Sequence, residues 1–149
     1  MKRKIFIDVV SYAFVLLFVY TGVNKLIDNH IFQIALGKSD LFASFAAPLS
    51  FIVPTIELLL AALLLIRRTR SKGLLGSFIL MALFTIYVGI MVYFRTDRPC
   101  TCGGIMGLLN WHQHFYFNSI FTILAIAAYR LDRQNHLSSN TQSKSPTYA

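Results

Sequence analysis

Four long apolar runs, each bounded by charged or polar clusters, divide this chain of 149 residues. A helix needs roughly 20 apolar residues to cross a hydrocarbon core. The runs from about Ile5 to Leu26, Phe45 to Ile66, Leu74 to Phe94 and His114 to Leu131 meet that length. The pattern therefore predicts an all-α fold: a four-transmembrane-helix bundle over residues 1–131. Residues 132–149 are rich in Ser, Asn, Gln and Thr. A segment of that kind buries too little apolar surface to order itself, so a flexible polar tail is expected. No internal repeat is evident.

Composition agrees. The chain is 56% hydrophobic and 13% charged, with a mean hydropathy of +0.59. A soluble domain carries about 25% charged residues. The formal net charge of +8 would suit a nucleic-acid binder. Its placement between and beyond the apolar runs instead fits membrane topology, and no nucleic-acid partner is expected. Lys2-Arg3-Lys4 before an apolar run imitates a signal peptide. The run is long, however, and Tyr20, Asn24 and Lys25 stand where a small-residue cleavage site would fall, so a retained span is expected.

Charge asymmetry sets an expected orientation. Lys2, Arg3, Lys4, Arg67, Arg68, Arg70, Lys72, Arg130, Arg133 and Lys144 fall on one side; Lys25, Lys38, Arg95 and Arg98 fall on the other. Both termini are thus expected in the cytoplasm. The connection between the third and fourth runs then faces the exterior, the periplasm in a bacterium.

That connection holds Cys100-Thr101-Cys102-Gly103-Gly104, with the only two cysteines of the chain. The exterior permits disulfides, which the cytosol reduces. A disulfide across one residue closes a small ring whose strain would favour exchange. Gly103 and Gly104 supply backbone freedom, Pro99 restricts the approach, and Arg98 and Arg95 would favour a thiolate. A static cross-link or two unpaired thiols is the plain alternative. Cys100, Cys102, His112 and His114 also form a donor set acceptable to zinc or copper. Two residues apart on one helix, His112 and His114 point away from each other, so no metal site is assigned. With Trp111 and Tyr116 they also suit an aromatic belt at a membrane interface.

Glu57 is the one acidic residue well inside a run. A carboxylate there must be neutral, paired or functional. Lys25, preceded by Asn24, ends the first run on the side from which Glu57 lies a third to half of the way in. A lysine reaching inward would pair with it. A proton path is the functional version and a helix–helix contact the structural one. Pro54, one turn earlier, should kink the second span and free a carbonyl. Asn118 and Tyr87 would add polar contacts, and Asp8 reads as interfacial.

Together Gly22-Val23-Asn24-Lys25-Leu26, Pro54-Thr55-Ile56-Glu57-Leu58, Tyr87, Pro99-Cys100-Thr101-Cys102-Gly103-Gly104, Trp111-His112-Gln113-His114 and Phe117-Asn118 resemble the MauE/DoxX group of four-span membrane proteins. The closer resemblance is to its methylamine-utilisation MauE branch, over about Phe6 to Leu131. The resemblance implies a redox-associated inner-membrane protein. Its function would be thiol–disulfide exchange supporting disulfide formation or maturation of a periplasmic partner, alongside a thioredoxin-like protein. Cys100 and Cys102 would react; Arg98, Gly103, Gly104, His114, Glu57, Lys25, Asn24, Asn118 and Tyr87 would support them. The architecture is also similar to vitamin K epoxide reductase and DsbB, which implies a quinone as an electron acceptor. Those enzymes use C-x-x-C, whereas this chain has C-x-C and no second pair to relay electrons. The alternatives are a non-enzymatic membrane scaffold or maturation chaperone, and a small-solute or metal transporter, which four spans would supply only as an oligomer.

Overall fold

The computed structural model describes residues 2–37, 43–94 and 111–142. They form α1 (Lys2–Ile27), α2 (Asn29–Gly37), a 3-10 turn (Ala43–Phe45), α3 (Ala46–Leu65), α4 (Arg70–Phe94) and α5 (Trp111–Gln142). The fold is all-α, and the four long helices cover the four predicted runs. By length and composition α1, α3 with its preceding turn, and α4 are each able to cross a membrane. The fourth long helix, α5, packs along α4; its apolar stretch is interrupted by Asn118, Ser119 and Thr122. In lipid every backbone polar group needs an internal partner, which favours such helices. Their hydroxyls follow the same rule: Ser77, Thr85, Ser119 and Thr122 donate to the carbonyls of Gly73, Met81, Phe115 and Asn118, one turn back.

Neighbouring long helices run antiparallel. The most extensive packing joins α1 to α3 and α4 to α5, so the bundle consists of two hairpins with a lighter seam between them. Each helix turns one stripe inward: Phe14, Phe18 and Thr21 on α1; Ser50, Pro54, Glu57, Ala61 and Leu64 on α3; Ser77, Met81, Val88 and Met91 on α4; His114, Asn118, Ala125, Ala128 and Asp132 on α5. Steps of three and four residues keep each stripe on one face. Phe14 is central, 5.3 Å edge-on from Phe121 and 5.5 Å from Phe18 between ring centroids. The outward faces carry Val9, Leu16, Leu59, Leu83, Ile86 and Ile123, all exposed. Such apolar outer faces suit a lipid solvent.

One end of the bundle is tied by polar contacts. Arg70 Nη1 donates to Asp8 Oδ1, joining α4 to α1, and Ser71 Oγ donates to buried Asp132 Oδ2, joining α4 to α5. Asp8 is thus an ion-pair partner as well as a residue near the helix start. Thr69 Oγ1 closes the turn before α4 by donating to Leu63 and Ile66 carbonyls at 2.9 and 3.2 Å.

Two features add to the sequence reading. Helix α5 continues past Leu131 to Gln142, into the polar segment that follows the fourth apolar run. Asp132 is buried there because Ser71 gives its carboxylate a donor. Helix α2 occupies the connection between the first two runs and is anchored by Asn29. Pro54 lacks an N–H, which leaves the Ser50 carbonyl without its helical donor. Asn29 Nδ2 supplies one at 2.9 Å.

Candidate functional site

The inward stripes bring their polar members together at the bundle end opposite the Asp8–Arg70 pair. Thr21 and Lys25 stand one turn apart on α1. Gly22 between them allows close approach to α3: a Cβ there would meet Leu58 Cγ at 3.2 Å and the Pro54 carbonyl oxygen at 3.3 Å. Glu57 follows Pro54 on the buried face of α3, and Asn118 and His114 lie on the buried face of α5.

Lys25 Nζ donates to Glu57 Oε1 at 2.5 Å. The glutamate side chain is 1% exposed and the lysine 13%. The ammonium also sits 5.1 Å from the Phe84 ring centroid and 5.6 Å from that of Phe32. The electron-rich ring faces attract the cation and keep water from it. His114 lies within electrostatic reach of Lys25. Beneath the pair, Thr21, Glu57, Asn118, Phe84 and Phe117 line a cavity of about 10 Å³ open to the centre of a water-sized sphere. That is room for about one water. Among the described residues, Glu57 Oε2, Asn118 Nδ2 and His114 Nε2 are buried without a hydrogen-bond partner. A carboxylate acceptor and an amide donor thus border one small cavity. Chemically, the arrangement can hold a charge pair out of water and share a proton between carboxylate and amine.

The predicted supporting residues divide accordingly. Lys25, Glu57, His114 and Asn118 converge. Tyr87 is half-buried on α4, one turn beyond Phe84. Asn24 is half-buried, and its carbonyl accepts the Asp28 N–H at 2.9 Å. Cys100, Cys102, Arg98, Gly103 and Gly104 lie outside the described residues. His112 is exposed and His114 buried, the divergence that their spacing predicts. Among the described residues no three His, Cys, Asp or Glu side chains gather as a metal-binding group. Sequence reasoning missed Thr21, Phe32, Phe84 and Phe117. The four-residue step from Thr21 to Lys25 was the available signal for the first; the aromatic walls depend on packing.

No curated protein and no solved structure shows significant similarity to the chain. The family model described as methylamine utilisation protein MauE matches residues 3–131, which covers all four long helices up to Leu131. With its apolar outer faces and long spanning helices, this chain is a multi-pass membrane protein that belongs to the MauE family.

Proposed function

We propose that the protein is an inner-membrane thiol–disulfide exchanger whose Cys100 and Cys102 face the periplasm and support disulfide formation in a periplasmic partner. The observation that carries the reading is position. The only two cysteines fall between α4 and α5 in the sequence, and the two helix ends that flank them lie at the bundle end away from most Lys and Arg residues. Basic residues favour the cytoplasmic side, so the cysteines belong on the side where disulfides persist. Membership of a family described by methylamine utilisation supports a role beside a periplasmic redox enzyme.

The exchange is a two-electron reaction. A partner thiolate attacks one sulfur of the oxidised Cys100–Cys102 pair, forming a mixed disulfide and releasing the other cysteine as a thiolate. The second partner thiolate breaks the mixed disulfide. The partner leaves oxidised and the pair is left as a dithiol. A quinone or the disulfide of a thioredoxin-like protein then accepts the electron pair and restores it. The buried Lys25–Glu57 pair sits at the same end and supports proton uptake or release during that step.

Alkylation trapping in intact cells tests this. Cys100 and Cys102 should shift between blocked and free as partner thiols are supplied. Cys100→Ser and Cys102→Ser should each leave partner thiols reduced, and the variant that keeps the attacking cysteine should trap a mixed disulfide with the thioredoxin-like oxidant, whose disulfide its thiolate can open but not resolve. A pair that never changes state, or a double serine variant that leaves partner maturation intact, would sink the reading in favour of a scaffold.

A further inference from the structure

The opposite end of the bundle carries a second polar site that the thiol chemistry does not use. Lys4, Asp8, Arg67, Arg70, Asp132 and Asn135 line a cavity of about 300 Å³ where α1, the turn before α4, and α5 meet. Its two acids are already engaged: Asp8 by Arg70, and Asp132 by Ser71. Among the described residues neither Lys4 nor Arg67 forms an ion pair. Arg70, 12% exposed, also keeps a buried Nε with no hydrogen-bond partner among the described residues. The site therefore holds an excess of positive charge and a spare guanidinium donor.

The surroundings identify the matching ligand. Ile5 beside Lys4, and Leu65 and Ile66 before Arg67, are 58%, 57% and 55% exposed. Cavity residues and exposed apolar residues thus adjoin in sequence at the ends of the candidate spans, and a bilayer sets its phosphates beside the ends of its spans. A ligand that satisfies both carries a phosphate and a hydrocarbon tail. We propose that this cavity binds the phosphate headgroup of an anionic glycerophospholipid, with Lys4 and Arg67 pairing the phosphate, Arg70 held in place by Asp8, and the acyl chains lying along the exposed face beside Ile5 and Ile66. Basic pockets between spans commonly take anionic headgroups.

Native mass spectrometry of the full chain, released from detergent containing equal phosphatidylglycerol and phosphatidylcholine, tests the assignment. The wild type should retain phosphatidylglycerol selectively. Each basic residue near anionic lipid is worth about a fivefold change in binding, so Lys4→Gln with Arg67→Gln should weaken retention roughly 25-fold. Arg3→Gln with Arg68→Gln removes the same charge from exposed neighbours outside the cavity and should weaken retention far less than the first pair. If the first double variant does not fold, Lys4→Gln alone, on the exposed first turn of α1, should lose about fivefold. Equal loss in both double variants would overturn the site in favour of a diffuse surface field. Retention of phosphatidylcholine as strongly as phosphatidylglycerol would overturn it as well. Displacement by millimolar inorganic phosphate, with no advantage for the lipid, would overturn the lipid assignment and leave a free-phosphate site.

Discussion

Removing Lys25 should damage the bundle more than removing Glu57, and removing both should damage it less than removing Lys25 alone. The two charges approach to 2.5 Å. At an effective dielectric of about 20 their direct attraction is roughly 7 kcal/mol. Taking the ions out of water costs several kcal/mol each, so the net contribution of the intact pair is small. Breaking such a pair is different, because about 3–5 kcal/mol is lost when one buried charge is stranded. The stranded groups are not equivalent. Lys25 lies on the last turn of α1, retains 13% exposure and has a long stem, so it can extend toward the headgroups. Glu57 is 1% exposed, within α3, and has no such route. Glu57→Gln should therefore cost about 1–2 kcal/mol and Lys25→Met about 3–5 kcal/mol, with the double variant within about 2 kcal/mol of wild type. Reversible unfolding of the full chain in lipid nanodiscs, read as a double-mutant cycle, measures this. Single-variant costs that simply add, or a Glu57→Gln cost equal to that of Lys25→Met, would refute the reasoning.

Two further perturbations test the packing. A Cβ on Gly76 would meet Leu60 Cδ2 at 2.5 Å, whereas one on Gly73 would meet Leu64 Cδ2 at 3.0 Å and the Leu64 backbone nitrogen at 3.1 Å. The flexible Leu60 tip can move and the α3 backbone cannot. Gly76→Ala should therefore be near neutral, helped by about 1 kcal/mol of helix propensity, while Gly73→Ala should cost about 1–3 kcal/mol despite its longer contact; unfolding midpoints in detergent rank them. Asp132→Ala leaves the Ser71 hydroxyl without its acceptor and should cost about 1–3 kcal/mol, with hydrogen exchange rising selectively in the last turns of α5. An unchanged exchange profile would show that Asp132 does not anchor the helix end.

The four long helices were legible because apolar runs of spanning length have few other solutions. The Lys25–Glu57 pair was legible for a related reason: a carboxylate inside a span demands a partner, and only Lys25 lay at the right depth. Helix α2 was not legible. Its nine residues are too few for a decisive period, and its anchor is a carbonyl that Pro54 frees on another helix. The C-terminal turns of α5 were hidden for the opposite reason. Their composition reads as disordered, and the donor that lets Asp132 be buried comes from Ser71, 61 positions earlier. The phenylalanine walls around Lys25 look in sequence like any other apolar residues; only packing distinguishes them.

The hairpin arrangement has a mechanical consequence. The cysteine-bearing segment is tethered at both ends to one unit, α4 and α5, which are clamped together by the Thr85–Thr122 contact at 3.1 Å and the Tyr93–Phe115 rings at 5.9 Å. A tug on that segment loads both strands of the unit at once and does not pry them apart. The force passes to the lighter seam against α1 and α3, where Phe84 and Asn118 face Lys25 and Glu57. Strain applied at that end of the bundle is thereby delivered to the buried charges as a rigid-body displacement.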